Sequence, residues 1–401
     1  MCGIVGGVAR RDVAPILMEG LRRLEYRGYD SAGIAVRDAA GHLRRIRSVG
    51  KVAMLQQLMT EQPVPGDLGI AHTRWATHGM PAERNAHPHM SGERVAVVHN
   101  GIIENHAELR AALSARGYRF TSETDTEVIA HLLASELEHE PDLLRAVQAA
   151  TRDLVGAYAL AVASPDDPDR LVVARSGSPL VIGLGEGENY VASDVFALLP
   201  VTHRFVFLDE GDTAEVRRDG ITVYDADGEV VERPERESQL SASTIDKGPY
   251  RHYMLKEIFE QPAVIAETLE GRIHKGRLLE ESFGHETKAQ LDRTQGVHII
   301  ACGTSYHAGM VARYWLEEVG IPCSIEVASE YRYRHVVVPP DTLFLTISQS
   351  GETADTLAAL RGAHKAGYLG ALTICNVPES SLVRESDVAL MTRAGPEIGV
   401  A

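Results

Sequence analysis

The residue best equipped for chemistry sits at position 2. A cysteine there becomes N-terminal once Met1 is removed, and its small side chain permits that removal. One residue then carries both a thiol and a free α-amine. An α-amine titrates near 7.7–8.0, so roughly a tenth to a fifth of it is neutral at pH 7. It can take the thiol proton directly or through one water, and no histidine base is required. Taken alone, Cys2 also fits a small buried hydrophobe in an edge strand.

Three further groups change that balance. His99-Asn-Gly101 follows an apolar strand-like run at 95–98. An Asn amide and a Gly N–H at a strand end can point at one developing oxyanion. By itself the Asn-Gly pair is more commonly a hairpin turn. Arg74, in the run His72-Thr-Arg-Trp-Ala-Thr-His-Gly79, also stands at a strand end and can grip a carboxylate by two parallel hydrogen bonds. Asp125, in Ser122-Glu-Thr-Asp-Thr126, suits a substrate ammonium or a plain helix N-cap. A nucleophile with oxyanion, carboxylate and ammonium sites describes attack on the side-chain acyl group of an α-amino acid. Glutamine fits.

The elements that must hold these residues change character along the chain. Up to about residue 230 there are many short strands, near 31–37, 68–72, 94–99, 155–163, 170–174, 180–184, 204–208 and 221–224. Helical periodicity appears at 13–24, 105–115, 125–138 and 142–151. That mixture predicts two layers of sheet flanked by helices. Residues 231–250 are polar and Ser-rich and are expected to form a linker. Beyond them strands alternate with long helices. Strands are expected at 297–301, 323–327, 342–347 and 371–375, and helices near 252–269, 305–319 and 353–366. Such alternation predicts a doubly wound parallel sheet.

In that second half, two strands run into hydroxyl-rich turns that open helices: Cys302-Gly-Thr-Ser-Tyr-His-Ala308 and Ser348-Gln-Ser-Gly-Glu-Thr353. Backbone N–H groups and hydroxyls at two helix N-termini suit a phosphate. Cys302, Cys323 and Cys375 lie on or beside strands and read as packing residues.

Composition narrows the partners. The 401 residues carry 56 Asp and Glu against 40 Lys and Arg, a formal charge of −16. Phosphate backbones would be repelled over most of such a surface, so no nucleic-acid partner is expected. No stretch approaches the 20 or so apolar residues that cross a bilayer, and no membrane partner is expected. Asp12 and Glu19 interrupt the first apolar stretch, so no secretory signal is read there. The four cysteines show no disulfide or CxxC spacing, which points to a reducing cytoplasm.

Six ordered motifs carry a resemblance: Cys2-Gly-Ile-Val-Gly6, Arg27-Gly-Tyr-Asp-Ser-Ala-Gly33, the run 72–79, Asn85-Ala-His-Pro-His89, His99-Asn-Gly-Ile-Ile-Glu-Asn105 and Glu123-Thr-Asp-Thr-Glu127. They resemble the class II glutamine amidotransferases, and within these the glucosamine-6-phosphate synthase family. The resemblance implies an N-terminal-nucleophile hydrolase fold, a four-layer αββα sandwich of α+β class, over residues 2–230. It implies Cys2 as nucleophile, Asn100 and Gly101 as oxyanion hole, and Arg74 and Asp125 as glutamine clamps. Thr77, His78 and His87 would line the pocket, and Trp75 would lie on a loop that gates ammonia escape. Residues 251–401 resemble the family's first sugar-isomerase (SIS) domain, an α/β fold. Met254-Leu-Lys-Glu-Ile-Phe-Glu-Gln-Pro262 matches its entry helix. Thr304, Ser305, Ser348, Gln349, Ser350, Thr353 and Val400 are then expected to contact fructose 6-phosphate.

The family reaction, in hexosamine biosynthesis, converts glutamine and fructose 6-phosphate to glutamate and glucosamine 6-phosphate. It passes ammonia internally and uses no metal or other cofactor. The resemblance also implies a homodimer at full length. The family continues through a second SIS domain and a tail bearing a Schiff-base lysine. A chain ending at Ala401 is therefore expected to retain glutaminase activity without the synthase step. Other class II amidotransferases would need a phosphoribosyl-binding acidic loop or an ATP-binding Ser-Gly-Gly loop after residue 250, and the sequence has neither. A non-catalytic sugar-phosphate sensor with a vestigial glutaminase is the alternative. The intact set Cys2, Arg74, Asn100, Gly101 and Asp125 counts against it.

Overall fold

The computed structural model describes all residues except 1, 26, 27, 77, 239–246, 280–284, 400 and 401. The chain divides into two compact units, residues 1–242 and 243–401.

In the first unit, strand Gly3–Val8 is buried on both faces, as its unbroken small and apolar sequence requires. It lies inside an eight-stranded antiparallel sheet, between Asn189–Ala192 and Leu68–Arg74. Ser31–Arg37 and Leu43–Val49 extend that sheet on one side. Val181–Leu184, Arg204–Phe207 and Glu235–Glu237 extend it on the other. A seven-stranded sheet runs Val230–Val231, Gly220–Tyr224, Thr213–Arg217, Arg170–Ser176, Gly156–Ala163, Val95–Ile103, His89–Ser91.

The alternation of side chains along each strand builds the layers. Ile4 and Val8 face the second sheet and join Ile70, Val98, Ala161 and Val173 in one core. Val5 faces the other way, where helix Ala14–Leu24 comes so close that a Cβ on Gly20 would lie 2.9 Å from the Val5 side chain. Outside the second sheet, Ile129 and Leu133 of helix Thr126–Glu136 and Val147 of helix Leu143–Asp153 pack on Val97, Leu160 and Val172. Each fully buried Val, Leu or Ile contributes about 1.5–3 kcal/mol. The result is the αββα order of layers.

In the second unit, five parallel strands stand in the order Cys323–Val327, Gly296–Ala301, Thr342–Ser348, Gly370–Cys375, Val388–Met391. Numbered within this sheet the order is 2-1-3-4-5, so the winding reverses between its first and third strands. The two hydroxyl-rich segments follow those two strands. The first forms, from Gly303 on, the opening of helix Gly303–Glu318, and the second is a turn that leads into helix Ala354–Ala363.

Two expectations differ from the structure. Residues 95–103 form one strand, so His99, Asn100 and Gly101 lie within it rather than after it. Part of the expected linker, Glu235–Glu237, pairs with Arg204–Phe207, where Arg204 meets Glu235 at 2.6 Å. Its polarity is that of an exposed edge strand.

Candidate active sites

Antiparallel register brings the first site together. Gly3 pairs with Thr73, so the start of the first strand lies beside the end of Leu68–Arg74. The backbone N–H of Trp75 accordingly donates to the Cys2 sulfur at 3.2 Å. Burial pushes the Cys2 thiol above its ordinary pKa, and that hydrogen bond only partly offsets the rise. The group is therefore a thiol near neutrality and needs a base to react.

Arg74 is buried, at 3% exposure. One of its terminal nitrogens, Nη2, donates to the carbonyl oxygens of His78 and Gly79, the latter at 3.1 Å. The other, Nη1, is buried and has no partner among the described residues. A buried guanidinium nitrogen without an acceptor is costly, and a carboxylate would satisfy it. Asp30 accepts from the Ala76 N–H, and Asn85 donates to Met80 O at 2.9 Å and to Glu123 at 2.9 Å. The His78 ring meets His106 edge-on at 5.2 Å. Thr77 and Arg27 lie outside the described residues. Trp75 is 40% exposed and meets Tyr29 edge-on at 5.5 Å.

Asn100 enters from the second sheet. Its Nδ2 donates to the carbonyl oxygen of Cys2 at 3.0 Å. Gly101 has φ +133°, and a Cβ there would lie 1.9 Å from Ala157 O, so only glycine fits. Asp125 precedes helix Thr126–Glu136 without capping it. Its carboxylate instead accepts from Ile103 N–H at 2.9 Å, two residues beyond Gly101.

Behind Asn100 lies a layer of buried imidazoles that motif reading did not single out as a unit. His72 stacks on His87 with centroids 4.0 Å apart, and His87 meets His89 at 4.9 Å. Thr126 bridges His99 Nδ1 at 3.0 Å and His87 Nε2 at 3.3 Å. Burial holds His72 down to about 3 and His87, His89 and His99 below their ordinary value. All four rings are neutral at physiological pH. The sequence shows His72 and His99 inside motifs, but their contacts join residues from different strands.

In the second unit a cavity of about 300 Å³ opens at the strand ends where the winding reverses. Its lining includes Ser305, Ser348, Gln349, Asn376 and Thr392. The Ser348 hydroxyl accepts from Gly351 N–H at 3.0 Å, and Ser350 accepts from Glu352 N–H at 3.2 Å. Gly351 has φ +66°, and a Cβ there would lie 2.0 Å from Ser380 Oγ. Thr304, in the first turn of helix Gly303–Glu318, and Ser350 and Thr353, before helix Ala354–Ala363, lie outside the cavity lining. The Thr353 side chain makes no capping bond. Val400 lies outside the described residues. Among the described residues no group of three or more His, Cys, Asp or Glu could hold a metal ion, and no helix is long and apolar enough to cross a membrane.

Comparison with known proteins agrees with this division. Residues 72–200 match a glutamine amidotransferase domain and residues 291–401 a SIS domain. Over 402 aligned positions the chain is 62% identical to a Pseudomonas putida protein named glutamine–fructose-6-phosphate aminotransferase (isomerizing). A protein of the same name from Escherichia coli O6:H1 is 60% identical. The chain belongs to the glutamine–fructose-6-phosphate aminotransferase family. All of it is matched, and it spans 66% of the length of these relatives. A Bacillus subtilis glutamine phosphoribosylpyrophosphate amidotransferase structure shares the fold. Its TM-score is 0.51 at 18% identity, over 93% of this chain and 81% of that one.

Proposed function

We propose that this chain hydrolyses glutamine at Cys2 to glutamate and ammonia, and that its second unit is part of a site where that ammonia is passed to fructose 6-phosphate to give glucosamine 6-phosphate. The observation that carries the reading is the buried Nη1 of Arg74, without a partner among the described residues, beside a cysteine whose carbonyl is already held by Asn100. In this reading Arg74 takes the glutamine carboxylate and Asp125 its ammonium. Thr77, His78 and His87 complete the pocket. The α-amine freed by loss of Met1 accepts the thiol proton as Sγ attacks the carboxamide carbon. Asn100 Nδ2–H and Gly101 N–H receive the developing oxyanion. Collapse returns that proton to the leaving nitrogen and releases ammonia, leaving a thioester. Water then cleaves the thioester to glutamate and restores the thiol. Trp75, half-exposed on the loop whose N–H touches Sγ, gates the ammonia.

The sugar phosphate binds at the cavity of the second unit and at the two hydroxyl-rich segments beside it. Ser348, Ser350 and Thr353 receive the phosphate, and Thr304, Ser305, Gln349 and Val400 border the sugar. The full-length protein is a cytoplasmic homodimer. Glutamate release from glutamine tests the first half: the wild-type chain releases it and Cys2→Ala does not. Release by Cys2→Ala at the wild-type rate would end the proposal. Calorimetry with fructose 6-phosphate tests the second half. The expected affinity is millimolar, about 4 kcal/mol, and it should be lost in Ser348→Ala.

A further inference from the structure

The two ends of an Asn carboxamide have nearly the same shape, and an oxyanion site works with only one of them. With Nδ2 toward the substrate, Asn100 stabilises negative charge. With Oδ1 there, it repels it. Something must therefore hold the amide in one of its two orientations.

Resting on the glutaminase reading, we propose that His72 is a positioning residue that locks the Asn100 carboxamide with its NH₂ toward Cys2. His72 Nε2 lies 3.0 Å from the carbonyl oxygen of His99 and 3.0 Å from the side chain of Asn100. A backbone carbonyl oxygen only accepts, so Nε2 must carry the proton. The Asn100 atom beside that N–H must then be an acceptor, which is Oδ1. Nδ2 is left facing the Cys2 carbonyl, to which it gives one proton at 3.0 Å. Its second proton remains for the substrate oxygen.

The ring itself is firmly held. It is 1% exposed and lies 12° from parallel with His87, so it cannot turn without unstacking. Its Nδ1 is buried without a partner among the described residues. A proton on Nδ1 would be a buried donor with nothing to receive it, which keeps the proton on Nε2. Burial likewise keeps the ring neutral, with its pKa down to about 3. The lock is therefore independent of pH across the physiological range. It acts through Asn100 and touches no reacting atom.

The test compares His72→Leu with His72→Gln in glutamate release. Leucine keeps much of the bulk without a donor, whereas glutamine carries an N–H near the place of Nε2. Both lose the stacked ring, so a purely structural role would lower melting temperature and turnover together in both. A positioning role separates them. His72→Leu should lose roughly 10- to 100-fold in kcat with little change in KM, since the oxyanion contact belongs to the transition state. His72→Gln should regain most of that turnover. Wild-type kcat in His72→Leu, or equal losses in the two variants, would overturn the proposal.

Long-range ¹H–¹⁵N correlation of the wild-type histidine rings gives an answer that requires no variant to fold. His72 should show an Nε2–H, unprotonated-Nδ1 tautomer from pH 5 to 8, and an Nδ1–H tautomer would overturn the lock. Should the wild-type chain release no glutamate, the glutaminase reading fails, and the tautomer still decides the orientation of Asn100.

Discussion

Replacing Gly101 by alanine should damage catalysis and stability together, and the structure sets both magnitudes. At φ +133° an L-residue is strained, at a cost of about 1–3 kcal/mol. The added Cβ would lie 1.9 Å from Ala157 O, where contacts below 3.0 Å are essentially never found. The strands Val95–Ile103 and Gly156–Ala163 must therefore separate locally by at least 3.0 − 1.9 = 1.1 Å. A displacement of that size takes the Gly101 N–H out of hydrogen-bond range of the oxyanion. Losing one such donor costs on the order of 10²–10³ in kcat. Strain of about 1–3 kcal/mol corresponds to roughly 2–12 °C in the melting temperature of a unit of this size. Steady-state glutamate release and scanning calorimetry measure the two effects. A Gly101→Ala protein with wild-type kcat and melting temperature would refute both the backbone argument and the role of this N–H.

Other outcomes follow from the same geometry. Arg74→Lys keeps the charge but loses the planar fork, so the glutamine KM should rise more than kcat falls, and an unchanged KM would make Arg74 purely structural. The four buried imidazoles fold with lowered pKa values, so the unfolded chain binds more protons below its ordinary histidine range. Stability of the first unit should therefore be full above about pH 6.5 and fall as pH drops from there toward 3. The limiting slope is about 1.4 kcal/mol per pH unit for each ring, and urea denaturation at pH 7, 6 and 5 measures it. Asp125→Asn should weaken glutamine binding and also loosen the turn at Ile103, whose N–H it holds, so KM and melting temperature should both change.

How much of this was legible beforehand depended on where the information lies. Strand Gly3–Val8 and helix Ala14–Leu24 declare themselves through continuous or 3.6-residue apolar patterns. Strand Leu43–Val49 does not, because Arg44, Arg45 and Arg47 interrupt it. Arg47 folds back to Ala86 O at 3.0 Å, and burial lowers its pKa to about 10. Strand Thr213–Arg217 hides for a related reason: Glu215 is buried and paired with Arg170 on the neighbouring strand. Sequence spacing marked Cys2, Arg74, Asn100 and Asp125 as strand-end or turn residues with matching chemistry. It could not show that Asp125 forgoes its N-cap role for Ile103, or that Asn100 lies inside a strand. Both are set by contacts between segments distant in sequence, Asp125 with Ile103 and residues 95–103 with 156–163. The imidazole layer was hidden for the same reason, since its members meet across two sheets.

The central claim is that Cys2 is the nucleophile and that its own α-amine is the base. Labelling with an electrophilic γ-diazoketone analogue of glutamine, followed by peptide mass mapping, tests it most directly. The expected result is one adduct per chain, on Cys2, in protein from which Met1 is absent, with glutamine protecting against labelling. An adduct on Cys302, Cys323 or Cys375, or full glutamine hydrolysis by protein that retains Met1, would contradict it.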